Sequence, residues 1–307
     1  MRDETKTVKP TVFIHTNERQ IVGALVAQHA LKRNSRQPDA FDVRILHTQD
    51  HPFLAAHEGL PFKRDGIIRH WRNDDLQSFT PLRFMPPELM GYEGRALVID
   101  PDIFCVADVN ELLTRDMQGA AVMCRLRNGP KGVFGYFASS VMLLDCAKLR
   151  HWRCQEQFEE LFTFKRDYMD WISLKLEPRD SIGLFEKEWN DFDRLTAKTK
   201  MLHNTRRMTQ PWKTGLPIDF EPPDAFKPFP PYAWLMRHAR RYFGGGRLFG
   251  HYWRHPDRKQ EQLFFGLLRE CMAKGIVTDD MLRHEMHSNH VRHDAYAVLE
   301  RTEPLAA

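Results

Sequence analysis

The sequence predicts an α/β protein with a mostly parallel central sheet, flanking helices and a helical C-terminal extension. Short runs of aliphatic and β-branched residues alternate along the chain with segments in which apolar residues recur every three or four positions. The first pattern is typical of buried strands and the second of amphipathic helices, so their alternation indicates strand–helix–strand units. Hydrophobic residues make up 42% and charged residues 28% of the 307 residues. This composition excludes a disordered or fibrous chain.

Strands are expected where β-branched and aliphatic residues form a short run. The opening run, Thr11-Val-Phe-Ile-His-Thr16, shows this pattern, and Arg95-Ala-Leu-Val-Ile99 shows it in its most compact form. In chain order, the predicted strands span residues 11–16, 41–46, 95–99, 120–124, 133–144 and a last run that ends at 201–203.

Helices are expected where the apolar spacing changes to three and four residues, as at Ile21, Leu25 and Leu31. Asp108 is a candidate N-cap, and Pro86-Pro87 interrupts one helical segment. The predicted helices span residues 21–33, 79–90, 108–113, 147–162 and 168–176. The polar segment 50–75 predicts no regular element.

A proline-rich stretch divides the chain. Six prolines between residues 217 and 231 predict an extended linker. We therefore expect a main domain over 1–216, a linker over 217–231 and a helical region, rich in basic and aromatic residues, over 232–307.

Several classes of protein are excluded by what the chain lacks. No apolar run reaches the roughly 18 residues of a membrane span, and the N-terminal residues have no apolar core typical of a secretory signal. The five cysteines are an odd number and include no Cys-x-x-Cys pair, which argues against a zinc site or a disulfide framework. We expect a cytoplasmic protein with reduced thiols.

Two carboxylates follow the most compact strand. Asp100 and Asp102 come directly after Ile99, and ligands of α/β sheets bind beyond the carboxyl ends of the strands. Two such acids can share Mg²⁺ or Mn²⁺. A second Asp-x-Asp triplet, Asp191-Phe-Asp193, shows that the triplet alone is weak evidence. Aspartyl-phosphate chemistry is disfavoured because Phe104 stands where a hydroxyl is needed.

Four segments between residues 11 and 213 form a recognisable series. In chain order they are Thr16-Asn17 with Gly23-Ala-Leu-Val26, the strand and acids of 95–113, Phe137-Ala-Ser-Ser-Val-Met-Leu-Leu-Asp145, and His203 followed by Gln210-Pro211-Trp212. Together they resemble family 8 glycosyltransferases, the family of glycogenin and of lipopolysaccharide galactosyltransferases.

The resemblance implies a GT-A fold in which residues 1–216 bind a nucleotide-sugar. It implies Mn²⁺, or Mg²⁺, as the cofactor, with Asp100, Asp102 and His203 as its ligands. The implied function is a metal-dependent hexosyltransferase that moves a sugar from a nucleoside diphosphate-sugar, expected to be a UDP-sugar, to a glycan or lipid-linked acceptor with retention of configuration. Asp170 would orient the donor sugar at the catalytic centre. The implied donor-binding residues are Thr16, Asn17, Arg83, Asp100, Ser139 and Lys213.

Three positions depart from the family pattern. Gln20 stands where a tyrosine stacks on the base, Ala138 replaces an asparagine, and Gln210 replaces a lysine. These departures leave a catalytically weak binding protein of the same fold as an alternative. The donor sugar, the acceptor and the oligomeric state are not predicted.

The C-terminal region concentrates positive charge. Residues 227–259 hold eight basic residues, one acid and eight aromatic residues, a net charge of +7 against +4 for the whole chain. Such a composition suits packing against the main domain, an anionic membrane surface, or single-stranded nucleic acid. We rank nucleic acid last and expect a protein that is peripheral to the inner face of the membrane.

Overall fold

A computed structural model describes residues 8–127, 135–219 and 250–306. The chain divides into two compact units, Met1–His203 and Asn204–Ala307. Residues 220–249 lie outside the described part of the chain. They include most of the predicted linker, 217–231, and most of the basic and aromatic segment, 227–259.

The first unit is built on a six-stranded sheet with the order β2-β1-β5-β8-β7-β9. Three of its five strand pairs are parallel, namely β1–β2, β1–β5 and β7–β9, while β8 is antiparallel to both neighbours. The strands are β1 (Thr11–Thr16), β2 (Asp42–His47), β5 (Arg95–Ile99), β7 (Val122–Arg127), β8 (Tyr136–Asp145) and β9 (Ile182–Leu184). The predicted α/β class with a mostly parallel sheet is confirmed.

Two smaller sheets flank the central one. One is the hairpin of β3 (Pro61–Arg64) and β4 (Ile67–His70). The other, of order β10-β11-β6, contains β6 (Ile103–Cys105), β10 (Asp191–Phe192) and β11 (Met201–His203). The hairpin lies in the segment for which no regular element was predicted. The sequence did not indicate it because both strands are short and their exposed residues do not alternate with buried ones.

The first helix of the first unit has the predicted bounds, 21–33, and the other helices predicted there are shorter than expected. The helices of this unit are α1 (Ile21–Arg33), α2 (Pro52–Ala55), α3 (Pro86–Leu89), α4 (Asn110–Leu113), α5 (Cys154–Phe162) and α6 (Tyr168–Ile172). The expected helix over 79–90 is split into a 3-10 turn and α3, since Pro86 and Pro87 supply no backbone N–H to the preceding turn. The helix expected to reach residue 176 ends at Ile172, and Leu174 then takes a left-handed conformation with φ of 57°.

Helix α1 packs closely against the turn that follows β5. A Cβ atom on Gly23 would lie 2.6 Å from the carbonyl oxygen of Pro101. A methyl group at this point would displace either the helix or the turn, so only glycine allows so close an approach. This contact helps to set the position of the acids on either side of Pro101.

The second unit is helical in the part that the structure describes, as predicted for the C-terminal extension. Its helices are α7 (Arg258–Ala273), α8 (Asp279–His287) and α9 (Ala295–Arg301). Trp212 stacks on Phe264 with ring centroids 4.7 Å apart. The buried Arg292 donates to Glu261 at 2.8 Å. Across the described residues, no helix combines the length and the apolar character that crossing a bilayer requires.

Candidate functional site

The acids predicted from the sequence lie at the carboxyl end of β5. Strand β5 is buried because it is sandwiched in the sheet between β1 and β8, and Asp100 follows its last residue. Pairing with β1 is parallel and in the register Ile14↔Ile99. The carboxyl ends of both strands therefore meet at one edge of the sheet, where α/β proteins bind ligands.

His203 reaches the same place from the other end of the first unit. It ends β11, which pairs antiparallel with β6 so that His203 lies opposite Ile103, the residue after Asp102. The Nε2 atom of His203 is 3.3 Å from Oδ1 of Asp102. Asp100, Asp102 and His203 each offer one ligand atom, and these atoms all lie within 4.8 Å of one another.

This cluster can hold a divalent cation. Two carboxylates and one imidazole form a donor set that suits Mn²⁺, and Mg²⁺ is also compatible with the carboxylates. The side chains of Asp100 and His203 are 8% exposed and that of Asp102 is 16% exposed. The three predicted metal ligands, separated by up to 103 positions in the sequence, are thus brought together in a nearly buried site.

Asn190 orients the histidine. The Nδ1 atom of His203 lies 2.8 Å from Oδ1 of Asn190, which accepts the Nδ1–H hydrogen. The Nδ2 group of Asn190 in turn donates to Oγ of Ser140 at 3.0 Å. With the proton on Nδ1, the lone pair of Nε2 faces the acids, the tautomer that a metal ligand needs. Sequence reasoning assigned no role to Asn190 or Ser140. Ser140 lies in the motif that begins at Phe137, whereas no local pattern marks Asn190.

Asp100 is also held by a buried cation. Arg83 donates from Nε to Oδ1 at 3.0 Å and from Nη2 to Oδ2 at 2.5 Å. Its third donor, Nη1, contacts Oγ of Ser139 at 2.9 Å. Arg83 and Ser139, both predicted as donor-binding residues, are therefore part of the same site, and they enter it as neighbours of Asp100.

A histidine absent from the prediction completes this network. The Nε2 atom of His15 lies 2.6 Å from Oδ1 of Asp100. Burial alone would raise the pKa of Asp100, but Arg83 and His15 outweigh it and hold that pKa well below its ordinary value. Burial lowers the pKa of His15, although Asp100 opposes the shift. The sequence did mark His15, because this polar residue directly follows the apolar residues 12–14 of the predicted strand.

Two further predicted donor-binding residues, Thr16 and Asn17, directly follow His15 in the chain. Thr16 and Asn17 are buried at the end of β1. The Nδ2 group of Asn17 donates to the carbonyl of Asp75 at 3.1 Å and to Oγ of Ser78 at 3.0 Å, which fixes the loop before the 3-10 turn. Gln20 is also buried, and its Oε1 atom has no hydrogen-bond partner among the residues that the structure describes.

Asp170 and Lys213 are not part of the three-ligand cluster. Asp170 lies on α6, and its Oδ1 atom accepts from Nζ of Lys175 at 2.8 Å at a largely exposed position. Lys213 belongs to the second unit, where its buried ammonium group donates to Asp219 at 2.8 Å. Their roles toward a donor sugar stay predictions.

Comparisons with known proteins give similarities of structure only. No family model matches the sequence, and no curated protein matches it. The galactosyltransferase LgtC, solved with donor and acceptor sugar analogues, is similar with a TM-score of 0.48 and 13% identity over 66% of this chain and 89% of that chain. The glycosyltransferase GlyE of Streptococcus pneumoniae TIGR4 is similar with a TM-score of 0.48 and 15% identity over 88% of this chain and 64% of that chain.

Mouse xyloside xylosyltransferase 1 is similar with a TM-score of 0.42 and 12% identity over 64% of this chain and 97% of that chain. All three are glycosyltransferases.

Proposed function

We propose that the protein is a metal-dependent glycosyltransferase of the GT-A type. It would transfer a sugar from a nucleoside diphosphate-sugar, with a UDP-sugar as the expected donor, to a glycan or lipid-linked acceptor. The observation that carries this proposal is the convergence of Asp100, Asp102 and His203 at the carboxyl end of β5. Carboxylates and an imidazole placed there suit a cation that also binds diphosphate oxygens.

Asp100, Asp102 and His203 would hold the divalent cation, Mn²⁺ or Mg²⁺, which would supply Lewis-acid stabilisation to the departing diphosphate, a contribution of several kcal/mol. His203 is kept in the correct tautomer for this role by Asn190. Arg83 presents a guanidinium group beside Asp100, where it can bind phosphate oxygens in a two-pronged manner.

The sugar itself needs positioning more than covalent chemistry. With retention of configuration, the proton of the acceptor hydroxyl passes to an oxygen of the leaving phosphate on the same face, so no side chain acts as an external base. Asp170 orients the donor sugar in this scheme. Thr16, Asn17 and Ser139 would contact the nucleotide.

The experiment that tests the proposal combines binding with turnover. A thermal-shift screen of UDP-sugars, each with and without Mn²⁺, is followed by a donor-hydrolysis assay on the sugars that raise the melting temperature. We expect a shift that requires Mn²⁺ and slow hydrolysis of the same donor. Absence of any nucleotide- or metal-dependent shift would contradict the proposal.

A second candidate function is a nucleotide-sugar-binding protein with little turnover. It is favoured by Gln20, a buried amide at a position where a stacking aromatic ring is expected. Within the described part of the chain, its Oε1 atom has no hydrogen-bond partner. The same screen separates the two candidates, because a binding protein gives a melting shift without hydrolysis even when acceptors are added.

We also propose that the protein acts at the inner face of an anionic membrane. The charge and aromatic content of residues 227–259 support this location. In the described part of that segment, Trp253 is 67% exposed, and Arg254, Arg258 and Lys259 are exposed as well. A rigid aromatic ring among cations suits the headgroup region of a bilayer.

A further inference from the structure

The charge of Asp100, the first of the three candidate ligands, is matched by a buried cation. Both of its oxygens accept hydrogens from Arg83, and Oδ1 also accepts from His15. The Arg83 side chain is 8% exposed and that of His15 is fully buried. The ion pair of Arg83 and Asp100 therefore lies where water screens its charges little.

The network also restricts the lone pairs of Asp100. An ionised carboxylate offers about four acceptor sites. Three of them receive N–H groups, from Nε and Nη2 of Arg83 and from Nε2 of His15. A cation that uses Asp100 as a ligand must take the remaining site or displace one of these donors.

Arg83 is held in this position from its other side. Its Nη1 group donates to Oγ of Ser139 at 2.9 Å, and Ser139 donates to the carbonyl of Ile172 at the end of α6. The guanidinium group is thus fixed between Asp100 and Ser139. Moving it away from an incoming cation would break hydrogen bonds at both ends.

We propose that Arg83 acts as a built-in counter-cation for Asp100, so that the Asp100–Asp102–His203 cluster binds a divalent cation weakly alone and tightly only together with a diphosphate. A guanidinium group and a divalent cation on the same carboxylate repel each other strongly in a buried site. The oxygens of a diphosphate attract both cations and relieve this repulsion. The inference rests on the proposed function, since it assumes that the cluster receives metal and diphosphate.

The test measures Mn²⁺ binding without turnover. Free Mn²⁺ is followed by electron paramagnetic resonance as the protein is titrated, first without nucleotide and then with UDP, corrected for the Mn²⁺–UDP complex that forms without protein. For the parent protein, UDP should tighten Mn²⁺ binding at least about tenfold. Equal Mn²⁺ affinity with and without UDP, in a parent protein that binds both, would overturn the inference.

The decisive variant is Arg83→Gln, which removes the charge and keeps a polar side chain. Without nucleotide, it should bind Mn²⁺ about tenfold more tightly than the parent, and UDP should tighten its binding less. Arg83→Lys keeps the charge and should behave like the parent. Arg72→Gln is a matched control, because Arg72 pairs with Asp74 at an exposed position; it should leave Mn²⁺ binding unchanged.

These measurements separate the inference from the proposed function. If the parent binds UDP with Mn²⁺ but Arg83→Gln binds Mn²⁺ alone no more tightly than the parent, the inference is wrong and the proposed function stands. If the parent binds neither Mn²⁺ nor UDP, the proposed function itself fails. A purely structural role of Arg83 would weaken Mn²⁺ binding in the variant, the opposite of the expected change. Should Arg83→Gln not fold, equal Mn²⁺ affinity of the parent with and without UDP would still overturn the inference, and Arg83→Met offers a second way to remove the charge.

Discussion

The imidazole of His15 contacts the carboxylate of Asp100 although 85 positions separate them in the sequence, with Nε2 and Oδ1 2.6 Å apart. The contact follows from the parallel register of β1 and β5, in which Ile14 is paired with Ile99. The residues that follow this pair, His15 on β1 and Asp100 after β5, therefore lie next to each other. A histidine in a buried strand thereby becomes a hydrogen-bond donor to the first acid of the candidate metal site.

We expect His15→Leu to destabilise the protein by about 1.5–3 kcal/mol, the usual contribution of a hydrogen bond to a charged group. His15→Gln keeps an N–H donor at a similar reach and should recover most of the loss. Urea unfolding at neutral pH measures both variants against the parent. A leucine variant as stable as the parent would show that the contact does not stabilise the fold.

Asp102→Asn should weaken Mn²⁺-dependent UDP binding by more than about 100-fold, because loss of a residue that only supports a metal ligand already costs about 10- to 100-fold. The stability of the protein should change little. Isothermal titration with UDP at saturating Mn²⁺ measures the effect. Asp193→Asn is the matched control, because Asp193 belongs to the second Asp-x-Asp triplet and is absent from the three-ligand cluster. His203→Ala should weaken binding less completely, since two carboxylates remain. Equal affinity in Asp102→Asn and the parent would disprove the metal assignment.

Removing the hydrogen-bond acceptor of His203 should also weaken Mn²⁺ binding. Asn190 is fully buried and accepts the Nδ1–H hydrogen of His203. Asn190→Ala should therefore lower Mn²⁺ affinity in the presence of UDP by about 10- to 100-fold. Asn190→Asp keeps an acceptor at this position and should lose less. The idea fails if the alanine variant is folded, as judged by circular dichroism, and binds Mn²⁺ as the parent does.

The stability contributed by Asp167 should depend on pH. Its carboxylate accepts the backbone N–H groups of Asp65 and Gly66 at the tip of the β3–β4 hairpin, and that of Met169 at the start of α6. Burial alone would raise the pKa of Asp167, but these hydrogen bonds lower it overall. A carboxyl group whose pKa is lowered on folding stabilises the protein above its unfolded pKa, and this stabilisation is lost as the pH falls through the folded value.

Asp167→Ala should accordingly cost about 1 kcal/mol at neutral pH, the usual value for an N-cap. The difference from the parent should narrow as the pH falls below about 4. Urea unfolding at several pH values follows both proteins. Asp170→Ala, on the same helix but in an exposed ion pair with Lys175, should change stability by less than about 1 kcal/mol at any pH. A pH-independent loss for Asp167→Ala would contradict the electrostatic explanation.

Binding to anionic vesicles should fall sharply with added salt, because attraction of this kind is screened over a Debye length of about 8 Å at physiological ionic strength. Replacing Arg237, Arg240 and Arg241, which lie outside the described residues, with Ser should release the protein from vesicles without changing hydrolysis of the free donor. Sedimentation with anionic and neutral vesicles measures this. No preference for anionic vesicles at low salt would exclude the membrane proposal.

The sequence by itself determined the local features of this protein. The run Arg95–Ile99 forms a strand because every residue after Arg95 is apolar, and the acids that follow it lie at a strand end for the same reason. Asp100 and Asp102 could be recognised because only Pro101 separates them in the chain. His203 was identified by resemblance of a segment, and the structure places it beside Asp102. The hairpin of β3 and β4 was missed because its short, partly exposed strands lack a hydrophobic period.

The tertiary structure alone decided which side chains surround those acids. His15 reaches the site through strand register, and Arg83 and Asn190 reach it through 3-10 turns. The contacts that these three residues make there cannot be predicted from their neighbours in the chain. Arg83 was expected to contact a donor, but its contacts to Asp100 follow only from the fold. The physical reason is that apolar periodicity depends on neighbours in the chain. A buried charge network instead depends on which elements pack together, because each buried ion must find a partner there.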